Sequence, residues 1–87
     1  MFVTTTDWPD VIDVLVTQDE SGLFVYYVQT ADERAVHTGY LDARTKRAAL
    51  IELTSMLAGS SYQPTERWDT TEEDESLRRF RSQKAAP

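Results

Sequence analysis

The chain of 87 residues has no cysteine and a single histidine, His37. The first absence excludes a disulfide framework and a thiolate metal site, and it suits a reducing, cytoplasmic setting. Together the two remove the usual zinc ligand sets and leave no oriented base for a Ser or Thr nucleophile. Glycine is as scarce: Gly22, Gly39 and Gly59 stand alone, so no phosphate-cradling loop is written here. The acids at 72–75 are consecutive rather than alternating, which is not calcium-loop spacing. No apolar run approaches the ~20 residues of a membrane span, and the opening MFVTTTDWPD lacks the basic and apolar regions of a signal peptide. The expectation is a soluble, non-enzymatic protein without cofactor or metal, made and kept in the cytoplasm.

What is present is period-two hydrophobicity. In DVIDVLVTQ, Ile12, Val14 and Val16 alternate with Asp13, Leu15 and Thr17, giving a first strand. DESG at 19–22 is turn chemistry, with Asp19 able to bond nearby backbone and Gly22 able to take a positive φ. LFVYYVQT continues as a second strand, with Phe24, Tyr26 and Val28 on one side and Leu23, Val25 and Tyr27 on the other. After the polar break ADER comes AVHTGYL, a third strand carrying Val36, Thr38 and Tyr40 on one side. The fold class is therefore α+β, an antiparallel meander of three strands, or of four if Tyr62 and Trp68 belong to a short strand. Pro64 would hold that fourth strand to an edge. MFVTT offers an additional edge strand, interrupted at Trp8-Pro9.

LDARTKRAALIELTSMLAGSS is a helix pattern over 42–58. Asp42 is its N-cap candidate, Gly59 its C-terminal cap, and Ala49, Leu50, Leu53, Met56 and Leu57 form a core-facing stripe. Ile51 is the odd member of the opposite side. In 70–87, Thr70 or Thr71 can cap a second helix with acids at 72–75 and bases at Arg78, Arg79, Arg81 and Lys84, the order that the helix dipole prefers. Asp74 with Arg78 and Glu75 with Arg79 add i,i+4 pairs, and Leu77 and Phe80 are its only apolar residues. The chain thus divides into an α+β domain at 1–69 and a charged C-terminal helix or tail at 70–87.

Three strands and then a helix, over residues 11–58, resembles the opening half of the ribonuclease H-like fold. In that family a strand-one aspartate and a helix-one glutamate bind catalytic metal ions. Here Gln18 or Asp19 stands near the first position and Ala49 at the second, so the resemblance implies architecture without nuclease activity. HicB-type antitoxins use the same half-fold without catalytic residues. From QDESGLFVYYV to the helix, the chain is similar to their order of strand, acidic-Gly turn, aromatic strand, strand and helix. The Pro-Gly-Cys-like element common after the second strand there is missing here, as is a DNA-binding tail.

Net charge is −6, and it is unevenly placed: residues 1–43 hold eight acids against one base, Arg34. Such a field repels phosphate and attracts basic protein surfaces. If the helix covers the Phe24, Tyr26, Val28 side, the other side of the sheet is left for a partner. The favoured reading is an acidic inhibitor or regulator of another protein, in the manner of anti-CRISPR proteins and other products of phages and mobile elements. Asp13, Asp19, Glu20, Asp32 and Glu33 would meet the partner's basic surface, and Leu15, Leu23, Val25, Tyr27 and Ile51 would supply apolar contact. A second reading gives Arg44, Lys46 and Arg47 at the start of the helix, with Arg78, Arg79 and Arg81 in the tail, to nucleic acid phosphates, against the charge balance. A third is a homodimer through the same sheet face.

Overall fold

The computed structural model describes residues 8–30, 32, 34–70 and 74–83. Alternating apolar residues place β1 at Val11–Gln18, β2 at Phe24–Gln29 and β3 at Ala35–Leu41. They pair antiparallel in sequence order, with Val14 opposite Val28 and Val25 opposite Tyr40. The β1–β2 turn closes on Asp19. Its Oδ1 accepts from the Ser21 amide (2.9 Å), the Ser21 hydroxyl (2.7 Å) and the Leu23 amide (3.0 Å), while Gly22 takes φ +90°. Between β2 and β3 the register slips at Val28/Gln29.

The helix α1 spans Lys46–Gly59. Thr45, not Asp42, is its N-cap, accepting from the Ala48 amide at 3.2 Å; residues 42–44 are used to cross from the sheet to the helix axis. Gly59 remains inside the last turn, and the left-handed position falls on Ser61 at φ 68°. Ala49, Leu53 and Leu57 are fully buried against Ile12, Val14, Phe24, Tyr26 and Val28, as the stripe predicts, with Leu50 and Met56 at its margins.

The C-terminal segment departs from expectation. Glu75–Ser82 is a strand, β5, not a helix, and it pairs antiparallel with β1: Ile12 faces Phe80 and Leu15 faces Leu77. The short strand β4, Tyr62–Pro64, pairs in turn with the far side of β5. The sheet order is β3-β2-β1-β5-β4, so Pro64 does sit on an edge strand. Isolated i,i+4 ion pairs stabilise a helix by only about 0.2–0.5 kcal/mol each. Pairing along the second edge of β1 buries Phe80 completely in the shared core, a larger gain. The expected intrahelical pairs are accordingly replaced: Arg79 binds Asp13 bidentately at 2.8 and 3.2 Å, and Arg78 lies over Trp68 and Phe80. Five strands at ~4.8 Å spacing make a sheet wider than one ~10 Å helix can cover. That mismatch leaves two surfaces to account for.

Candidate functional site

The first surface is the sheet face away from α1. Register places Leu15, Val25, Tyr27, Tyr40 and Leu77 on it, across four adjacent strands, with Leu23 at the rim. Leu23 (49%), Tyr40 (67%) and Leu77 (40%) are exposed, and Tyr27 and Leu15 are half-buried. Val25, at 8%, is the hub of the patch rather than one of its contact points. Of the expected apolar contacts, Leu15, Val25 and Tyr27 thus stand together, with Leu23 beside them. Tyr40 and Leu77 were not foreseen: only the Val25–Tyr40 register brings the first in, and only a strand at 75–82 brings the second.

Register also sorts charge along this face. Asp19 and Glu20 in the β1–β2 turn, Asp42 after β3, and Asp74 and Glu75 at the start of β5 all fall at one end of the sheet. Arg79 and Arg81 point from β5 to the same face at the other end, opposite Asp13 and Val11. Several expected partner-binding acids have internal duties. Asp13 is paired with Arg79, and that carboxylate raises the Arg79 guanidinium further above its ordinary value. Asp19 is held below the usual carboxylate range, first by the Ser21 hydroxyl and then by backbone amides. Asp32 is lowered by the Thr30 hydroxyl and by Arg34. Glu20 is exposed, and Glu33 lies outside the described residues.

The second surface is on the helix side. Beyond the reach of α1, the segment after β4 runs back along β5 to the bridge Asp69–Leu77, and a groove of about 880 Å³ lies between it and the helix. Lys46, Leu50, Thr54 and Ala58 line it along three turns, with Arg47, Ile51 and Ser55 one position on; Trp68, Thr70 and Arg78 form the opposite wall. Ile51, 61% exposed, therefore faces this groove and not the sheet patch. Arg78 is fixed by its surroundings: Nε donates to the Glu66 carbonyl (2.7 Å), Nη1 reaches the Thr54 hydroxyl (3.4 Å), and the guanidinium lies 5.7 Å from the Trp68 ring and 5.6 Å from Phe80. Its burial lowers its pKa from the ordinary value, and no carboxylate among the described residues pairs with it. The basic residues of the phosphate-binding reading are thus divided, with Lys46, Arg47 and Arg78 in the groove and Arg79 and Arg81 on the opposite face.

His37 does have a neighbour. Its Nε2 and the Tyr26 hydroxyl share a hydrogen bond at 3.1 Å, and Trp8 packs 5.7 Å from its ring. Burial, then the charge of Glu52, pushes the Tyr26 phenol up. Among the described residues no group of three or more His, Asp or Glu is placed to hold a metal ion, and no helix is long and apolar enough to cross a membrane. Comparison with protein families, with curated proteins and with solved structures finds no match to this chain.

Proposed function

We propose that the protein is a non-enzymatic binding module whose open sheet face docks against another protein and occludes it. The carrying observation is the continuity of Leu15, Val25, Tyr27, Tyr40 and Leu77 across β1, β2, β3 and β5, on the face that α1 leaves uncovered. Contiguous exposed apolar patches of this kind mark interaction sites, and Tyr is a favoured anchor within them. The acidic end formed by Asp19, Glu20, Asp42, Asp74 and Glu75 gives the patch a direction. A partner with an apolar spot bordered by Lys and Arg fits it, and a surface that ordinarily holds nucleic acid has that character. The inhibitor-like and antitoxin-like classes rest on the sequence resemblance and the acidic first half.

A second reading, a homodimer through the same face, is favoured by one observation: the face carries acids at one end and, beside the neutralised Asp13–Arg79 pair, Arg81 at the other. A two-fold axis in the interface plane and perpendicular to the strands would set each end on its opposite. Sedimentation and photo-crosslinking test both readings. With a crosslinker at Tyr40, the expected result is a discrete adduct to a foreign protein that weakens with salt and disappears in the Tyr27→Asp background, the circular dichroism spectrum being retained. A wild-type dimer that Tyr27→Asp converts to monomer selects the second reading. Crosslinking unaffected by Tyr27→Asp removes the face from both.

A further inference from the structure

We propose that the groove between α1 and the Trp68–Thr70 segment binds a small amphipathic anion, a carboxylate or phosphate head on an apolar body. Its place on the helix side makes the site independent of the sheet face. The volume of about 880 Å³ lies within the ~300–1,000 Å³ of small-molecule sites, and such sites combine an apolar lining with a few converging polar groups. Here Leu50, Ile51, Ala58 and Trp68 are the lining, and Lys46, Arg47 and Arg78 are the polar groups. From Lys46 to Ala58 the helical wall runs ~18 Å, room for an elongated body.

Three facts make the ligand anionic. In a chain of net charge −6, three cations line one groove. Two of them, Lys46 and Arg47, occupy the first turn of α1, where no acid is present, against the preference of the helix dipole. The third, Arg78, presents a guanidinium whose orientation is already set by the Glu66 carbonyl, the Thr54 hydroxyl and two aromatic rings, leaving N–H donors for an oxyanion. An anion at Arg78 would supply the counter-charge that no carboxylate among the described residues gives it. The body of the ligand would then lie along Ile51 and Trp68, which explains an exposed isoleucine on a helix face otherwise suited to water.

Isothermal titration of the full chain with dodecanoate, dodecyl phosphate and dodecanol is the test, read beside tryptophan fluorescence because Trp68 lines the site. Expected is binding of at least one of the two anions at about 10⁻⁴ M or tighter, with dodecanol at least tenfold weaker. Which anion binds more tightly identifies the head group. Arg78→Gln should weaken the anion at least tenfold. Ile51→Asp, at an exposed helical position that does not support the core, should do likewise while leaving the thermal midpoint nearly unchanged. Arg79→Gln and Tyr27→Asp, on the opposite face, should leave binding as it is. Absence of binding by both anions, equal binding of dodecanol, or anion binding indifferent to Ile51→Asp and Arg78→Gln each overturns the proposal. An acidic peptide that binds where the small anions fail also overturns it.

Discussion

Leu77 and Phe80 stand three residues apart, and the two ways of reading their segment make opposite statements about them. On a helix both would dock on one face and cost similar amounts when truncated. On β5 they lie on opposite faces: Phe80 is fully buried beside Ile12 with the Trp68 ring 6.1 Å away, whereas Leu77 is 40% exposed. Phe80→Ala should therefore cost about 3–5 kcal/mol, the range for emptying a buried aromatic site. Leu77→Ala should cost about 1–1.5 kcal/mol, three carbons at ~0.8 kcal/mol each reduced for the part still in water. A domain of this length has a total stability of roughly 4–13 kcal/mol, so the first variant loses a large share of it. In urea, with a slope of about 1 kcal/mol/M, the midpoint should fall by about 3–5 M for Phe80→Ala and by about 1–1.5 M for Leu77→Ala. Equal shifts within about 0.5 M, or a Phe80→Ala cost under about 1.5 kcal/mol, would refute the strand and the core built on it.

A Cβ at Gly39 would stand 2.8–2.9 Å from the ring and hydroxyl of buried Tyr26, so Gly39→Ala should destabilise by about 1–3 kcal/mol in the same urea assay and disturb the tyrosine's hydrogen bond to His37. Asp19 has its folded pKa below the unfolded one, so its contribution is present above the unfolded value and lost as pH falls through the folded one. Thermal midpoints measured from pH 6 to pH 2 should show the deficit of Asp19→Asn shrinking as the pH drops below about 4; a deficit constant across that range would show that the carboxylate charge is not what holds the turn.

The meander and the main helix were legible because each obeys a single period: Ile12, Val14 and Val16 at two, Ala49, Leu53 and Leu57 at 3.6. The turn at Asp19 and Gly22 was legible because its chemistry is local. The C-terminal strand was not, because ESLRRFRS satisfies both periods weakly. Its charges favour a helix, and only the unfilled edge of β1, some sixty residues away, decides otherwise. The same error concealed one member of each surface. Leu77 joins the sheet face and Arg78 joins the groove only when 75–82 is extended, since in a strand these neighbours point to opposite sides. Ile51 was visible as an anomaly of the helix, but its companion Trp68 is set beside it by the β4–β5 pairing, which leaves no mark in either segment alone. Acids were overcounted as contacts, because a sequence does not show that Asp13 and Asp19 are already bound.

The pairing of β1 with β5 joins residues 58 to 70 positions apart, Thr17 with Glu75 and Val11 with Arg81. Contacts of that separation cost loop-closure entropy before they return anything, and chains rich in them fold slowly for their size. During synthesis β1 can form its hairpin with β2 early, yet its other edge must wait until residues 75–82 have been made. For that interval the nascent protein carries an unmatched strand edge able to recruit a neighbouring chain. Translation speed, chaperone access and expression temperature should consequently govern the yield of native protein more strongly than the small size of the domain would suggest.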